Sequence, residues 1–199
     1  MQNTQKIRQI IAVGGGGFGR SVDNLIIEKY ILDQVPDVNT DKTKTKKICF
    51  LPQASAEDQS YIASFYQAFT QLGTHPSWVS LFGRVKPGWE EHLLSQDVIY
   101  VGGGNTKSMI ALWKDWGLDK VLRQAYDKGI VLAGVSAGAI CWFQQACTDS
   151  VWPLGVVDGL GFLQGSCCPH YDGEIERRPA YLKMVKNGEI LPGLALQDL

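Results

Sequence analysis

Ser136 stands in Gly134-Val135-Ser136-Ala137-Gly138, a G-x-S-x-G pattern. A serine in this pattern sits on a sharp turn between a strand and a helix, with its hydroxyl exposed above the sheet edge. The context fits, because residues 130–133 are apolar and read as a strand, and a helix is predicted from Ala137 onward. Small flanking residues let the backbone cross closely at the turn. The start of that helix would offer unpaired N–H groups and the positive end of its dipole to a developing negative charge. The chemistry served is nucleophilic attack on a carbonyl, with the Ala137 N–H placed to donate to the oxyanion. A plain strand-to-helix turn is the simpler alternative.

A serine nucleophile needs a base, and the chain has 3 histidines. His75, in Thr74-His75-Pro76, and His92, in Glu91-His92-Leu93, read as structural or solvated. His170, in Cys168-Pro169-His170-Tyr171-Asp172, follows an apolar segment and a proline that restrains the backbone, so it is the candidate base. Gly102-Gly103-Gly104-Asn105 ends another apolar strand, 97–101. Ligands of open α/β sheets bind beyond the carboxyl ends of strands, which places this loop near Ser136. Gly103 or Gly104 could then bring a second backbone donor to the oxyanion. Asn105 is placed as a substrate contact, or alternatively as a helix cap. Gly14, Gly16 and Gly19 satisfy the G-x-G-x-x-G dinucleotide spacing. However, consecutive glycines satisfy many patterns, and the acids at 33–37 precede a polar loop rather than ending a strand. This loop therefore reads as part of a substrate cleft, with Gly16 lining it.

The elements that must hold these residues follow from hydrophobic pattern. Strands are predicted at 7–13, 47–52, 78–82, 97–101 and 130–133. Helices are predicted at 21–33, 56–72, 106–116 and 118–128. Residues 36–47 read as a polar, exposed loop. Beyond Gln145, short strands are expected near 155–157 and 161–164, a helix at 178–186 and a strand start at 194–196. Apolar strands alternating with helices imply a parallel sheet covered on both faces. The chain reads as one domain over 1–199. Its stop just after a strand start leaves truncation or a natural continuation past Leu199 open.

Composition narrows the function classes. A formal charge of −1 argues against a general nucleic-acid binder. No apolar run is long enough to span a membrane, and the first residues lack the apolar stretch of a signal peptide. The 5 cysteines form no C-x-x-C pair and read as reduced thiols of a cytoplasmic protein. No metal and no organic cofactor is expected.

Val101-Gly102-Gly103-Gly104-Asn105-Thr106, Gly134-Val135-Ser136-Ala137-Gly138-Ala139 and Pro169-His170-Tyr171 together resemble peptidase E, the aspartyl dipeptidase family of serine peptidases. Cyanophycinases share the same plan. The similarity covers nearly the whole chain in order and spacing. It implies a three-layer α/β/α sandwich with a mostly parallel central sheet. That fold is class I glutamine amidotransferase-like (flavodoxin-like), with serine replacing cysteine at the elbow. By the same resemblance Ser136 is the nucleophile and His170 the general base. Gly103 or Gly104, with Ala137, would line the oxyanion hole.

The family's third member is an acid. Asp198, in Ala195-Leu196-Gln197-Asp198, matches a late acid beyond a strand and is favoured. Asp149 competes, and Asp158 and Asp172 are weaker candidates. Aspartyl dipeptidases are expected to hold the substrate's acidic side chain with an arginine after the histidine. Arg177 and Arg178 follow His170 in a different register, and Glu174 and Glu176 beside them would offset a carboxylate site. Aspartyl preference is therefore not carried over. Arg177 stays a candidate substrate contact, against the reading of a solvated helix start. The expected function is a dipeptidase-like serine peptidase acting on small peptides through an acyl-enzyme, with a homodimer left open. Two alternatives stand beside it. One is an esterase of α/β-hydrolase type, with Asp149 or Asp158 between serine and histidine. The other is a non-catalytic amidotransferase-like binding module.

Overall fold

Strands buried on both faces carry apolar residues at every position, and successive side chains point to opposite sides. Both features shape the main sheet. The computed structural model describes residues 7–36 and 45–199. Five parallel strands form this sheet: β1 (Ile10–Val13), β2 (Lys47–Leu51), β3 (His75–Trp78), β4 (Val98–Val101) and β5 (Val131–Val135), in the spatial order β1-β5-β4-β2-β3. Ile48, Phe50, Val98, Tyr100, Val131 and Ala133 pack on one face with helices α1 (Ile26–Asp33) and α2 (Gln59–Gln71). Cys49, Leu51, Ile99, Val101 and Leu132 pack on the other with α3 (Trp89–Leu94), α4 (Thr106–Trp116) and α5 (Leu118–Asp127). This is the three-layer arrangement. On the first face Phe50 stacks on Phe65 with ring centroids 4.7 Å apart. Each such fully buried ring contributes about 1.5–3 kcal/mol by leaving water.

A second, four-stranded sheet follows α6 (Ala137–Ile140). Its strands are β6 (Phe143–Thr148), β7 (Gly155–Asp158), β8 (Leu163–Cys168) and β9 (Gly193–Ala195), ordered β7-β6-β8-β9. Only β7 runs antiparallel to its neighbour. Helix α7 (Arg177–Lys186) covers one face through Tyr181 and Met184, which meet Cys147 and Cys168. The opposite face, with Phe143, Ala146 and Cys167, joins the main core.

The structure corrects several element boundaries. The third strand is His75–Trp78, not 78–82. As an edge strand it tolerates Pro76, which has no N–H to donate. The segment after it is bound by side chains instead. Gln53 donates to the Val79 carbonyl at 2.7 Å, and the Glu57 carboxylate accepts from the Leu81 and Phe82 amides. The first helix begins at Ile26 rather than 21, because the 14–25 segment is spent in glycine turns. The helix after Ser136 is a single turn, since β6 resumes at Phe143. Strand β6 was missed because its apolar residues read as continuing that helix. Of the polar loop predicted at 36–47, residues 37–44 lie outside the described residues.

Candidate active site

The registers of the main sheet bring three strand ends together. Val13 pairs with Val135, and Val101 with Gly134, so the loops after β1, β4 and β5 emerge side by side. Ser136 follows β5 directly with φ 55° and ψ −115°, a conformation disfavoured for any side-chain-bearing residue. Such a backbone costs about 1–3 kcal/mol and persists only where its surroundings enforce it. Here the glycines enforce it. A Cβ on Gly134 would collide with the Gly138 carbonyl, and one on Gly138 with the Val101 carbonyl. The Ser136 amide donates to the Val13 carbonyl at 2.9 Å, which ties the bend to β1.

The second sheet supplies the other two groups. Strands β8 and β9 are parallel neighbours, with Cys168 opposite Ala195. His170 follows the end of β8, and Asp198 follows the end of β9. His170 also has a left-handed backbone, φ 51°, which swings its ring out of the strand direction. Its Nε2 lies 2.9 Å from Ser136 Oγ and its Nδ1 lies 2.7 Å from Asp198 Oδ1. Serine, imidazole and carboxylate thus form one continuous hydrogen-bonded chain.

Asp198 is held from several sides. Its other oxygen accepts from Arg20 at 2.7 Å, and its amide donates to Asp172 Oδ1 at 2.9 Å. A Cβ on Gly15 or on Gly173 would collide with this carboxylate, so both glycines are what lets it sit there. Partial burial pushes the Asp198 carboxyl up. The hydrogen bonds and positive charges of Arg20 and His170 outweigh this and hold it below the usual carboxylate range. Behind the glycine turn, buried Glu28 accepts from the Phe18 amide at 2.8 Å and anchors the 14–19 segment from below.

Around these groups lies a cleft of about 260 Å³, lined by Gly16, Arg20, Tyr61, Gly103, Ser136 and His170 among others. Gly103 packs on the serine, with its Cβ direction 3.3 Å from Ser136 Cβ. Its amide donates to the Tyr61 hydroxyl at 3.4 Å, however, so it is already engaged. Gly104 turns toward the Ala54 carbonyl, at φ 135°. Ala137 opens α6, where the first N–H groups have no partner within the helix. Burial pushes the Tyr61 hydroxyl up to about 12, so it stays protonated at neutral pH and can donate.

Several sequence candidates have other places in the structure. Asn105 does not line the cleft. Its side chain caps α4 by accepting from the Ser108 amide at 2.9 Å, and it donates to the Ser150 carbonyl. Arg177 is neither a substrate contact nor a solvated residue. It is 2% exposed and bound to Glu174 at 2.6 Å and Asp149 at 3.2 Å, because α7 packs its first turn against β6. Asp149 is therefore Arg177's partner and not the acid beside His170. Asp158 lies exposed on β7, and Asp172 touches the backbone of Asp198 rather than the imidazole. His75 lies on the edge strand, and His92 meets Ser77 at 2.9 Å.

Sequence reasoning missed Arg20 and Tyr61. Arg20 closes the glycine turn and Tyr61 opens a helix, and no local pattern ties either one to Ser136. Among the described residues, no group of three or more His, Cys, Asp or Glu side chains could hold a metal ion, and no helix is long and apolar enough to cross a membrane.

Known proteins resemble this chain in sequence and in fold. The profile of peptidase family S51 matches residues 10–199. The uncharacterized peptidase YgaJ of Bacillus subtilis (strain 168) is 50% identical over 192 residues, covering 96% of this chain and 81% of that protein. The uncharacterized peptidase Lmo0363 of Listeria monocytogenes is 28% identical over 136 residues, 64% of this chain and 66% of that one. Among solved structures, a candidate peptidase E protein from Listeria monocytogenes EGD-e superposes with a TM-score of 0.62 at 21% identity, covering 91% of this chain and 88% of that chain. A peptidase from an acI-B1 actinobacterium gives 0.66 at 17% identity, covering 88% and 74%. These two share the fold, and the profile and the Bacillus relative carry the assignment: the chain belongs to peptidase family S51.

Proposed function

We propose that this protein is a serine-type, dipeptidase-like peptidase that hydrolyses short peptides through an acyl-enzyme on Ser136. The observation that carries this reading is the contact chain from Ser136 Oγ through the His170 ring to Asp198, at 2.9 and 2.7 Å, at the edge of a small cleft. His170 Nε2 takes the hydroxyl proton as Ser136 Oγ attacks the peptide carbonyl carbon. The Asp198 carboxylate accepts the Nδ1–H, which fixes the tautomer and stabilises the imidazolium. The tetrahedral intermediate collapses by breaking the C–N bond, and His170 gives its proton to the leaving amine. Water, deprotonated by His170, then attacks the serine ester, releasing the acid product and restoring the hydroxyl.

The oxyanion is held by the Ala137 amide and by the Tyr61 hydroxyl, whose oxygen already accepts from Gly103. This assigns Gly103 a supporting place, relaying its amide through Tyr61. The order serine, histidine, acid differs from the serine, acid, histidine order of α/β-hydrolases, which favours a peptidase over an esterase of that type. Buried free thiols at Cys49, Cys141, Cys147, Cys167 and Cys168 support a reducing, cytoplasmic setting.

The test is labelling by a fluorophosphonate probe, with Ser136→Ala as control, followed by turnover of short peptides and simple esters. Labelling at Ser136 with peptide turnover supports the proposal. A folded protein that shows neither would be a binding module with a vestigial site.

A further inference from the structure

Beside the edge strand β3, on the far side of α2 from the cleft, lies a groove of about 520 Å³, twice the volume of the cleft. That size falls within the usual range of small-molecule sites, about 300–1,000 Å³. Its aromatic walls are Tyr66 of α2, Trp78 at the end of β3 and Trp89 at the start of α3. Arg84 and Lys86, from the loop before α3, reach its mouth, and the Ser77–His92 hydrogen bond lies within it. The lining holds no carboxylate. Glu57, behind Ser80, has its oxygens occupied by the Ser80 hydroxyl and the Leu81 and Phe82 amides. Glu91 stands at the rim, near Gly88.

Ser77, Ser80 and His92 of the groove are hydrogen-bonded, whereas other polar groups there have no acceptor among the described residues. Arg84 and Lys86 enter no ion pair among the described residues. The indole N–H of buried Trp113 donates to Gln53, whereas those of Trp78 and Trp89 find no acceptor among the described residues. Two exposed cations and three aromatic side chains thus line one groove. Aromatic faces select a flat body, while the unpaired cations select negative charge and acceptor oxygens.

We propose that this groove is a binding site for a small planar anion, an aromatic or heteroaromatic ring bearing a carboxylate or a phosphate. The site is independent of the catalytic reading, because α2 separates the two: Ser60, Tyr61 and Ser64 face the cleft and Tyr66 faces the groove. The test is calorimetric titration of the full chain with 2-naphthoate and with adenosine 5′-monophosphate. Their neutral counterparts, 2-naphthamide and adenosine, serve as comparators. At least one anion should bind saturably. Its neutral counterpart should bind about tenfold or more weakly, and the exposed pair Arg84→Gln/Lys86→Gln should lose about tenfold or more in affinity at unchanged melting temperature. Arg20→Gln, in the cleft, should leave the affinity unaltered. Binding of the naphthoate alone identifies a carboxylate ligand, and of the nucleotide alone a phosphate ligand. No saturable binding by either anion, equal binding of the neutral compounds, or loss in Arg20→Gln instead of the groove variant would overturn the proposal.

Discussion

Arg20 lies 178 positions from Asp198 in the chain and 2.7 Å from it in space, on the carboxylate oxygen that His170 does not use. One end of the carboxylate is clamped by a charged donor, and the other is left to orient the imidazole. The pair joins the glycine turn after β1 to the segment after β9, reinforced by the Gly15–Asp198 bridge and the Leu199 amide on the Gly15 carbonyl.

This clamp sets a pH dependence. The folded carboxyl of Asp198 is held below its unfolded value, which lies at about 3.9. The stabilisation is therefore complete above that value and is lost as pH falls through the lower folded one. Melting temperatures of the native protein and of Arg20→Met, compared from pH 7 downward, should differ at neutral pH and converge in acid as the lowered Asp198 carboxyl takes up its proton. A difference that grows in acid would contradict the assignment.

Within the catalytic chain, Ser136→Ala should abolish fluorophosphonate labelling and lower peptide turnover by about 10⁴-fold or more. Asp198→Asn should retain the labelling site but lose on the order of 10³–10⁴ in kcat, because the amide favours the wrong imidazole tautomer. Single-turnover kinetics on both variants separate acylation from peptide binding.

Tyr61→Phe removes a hydroxyl while keeping a ring packed against Phe18 and Phe50 at 5.3 and 5.1 Å. Loss of one oxyanion donor should lower kcat by about 10²-fold with little change in KM. A rise in KM at constant kcat would instead make the tyrosine a plain substrate contact.

Gly138→Ala should be strongly damaging, since its Cβ would meet the Val101 carbonyl in the middle of the main sheet. Overpacking against backbone should cost roughly 3 kcal/mol or more and be visible as a lowered denaturation midpoint. Gly73→Ala, with open space around it but φ 70°, should cost only about 1 kcal/mol.

Arg177→Met should destabilise by roughly 2–3 kcal/mol without changing KM, because the buried guanidinium holds Glu174, Asp149 and the Cys147 carbonyl rather than a substrate. Equilibrium urea unfolding together with peptide kinetics tests both halves of this expectation.

Much of the fold was legible because its signals are local. The apolar runs at β2, β4 and β5 and the periodic faces of α4 and α5 need no distant partner to be read, and their bounds match the structure closely. The elbow was legible for the same reason at Gly134, whose Cβ would meet the nearby Gly138 carbonyl, whereas Gly138 answers to the Val101 carbonyl on a distant strand. Strand β6 was not, because Phe143–Thr148 continues the apolar pattern of the preceding turn and is defined only by pairing with β7 and β8.

The sequence by itself determined a strand-turn-helix serine, a restrained histidine and a parallel α/β architecture, all of which are encoded by steric rules acting over short spans. Only the tertiary structure decided which acid faces the imidazole, that Arg177 is a buried tie, that Asn105 is a cap, and that Arg20 and Tyr61 stand in the cleft. The meeting of Ser136, His170, Asp198 and Arg20 depends on the register of β1 against β5 and of β8 against β9. Register is set by the packing of whole sheets, so it leaves no mark on the spacing of any one motif.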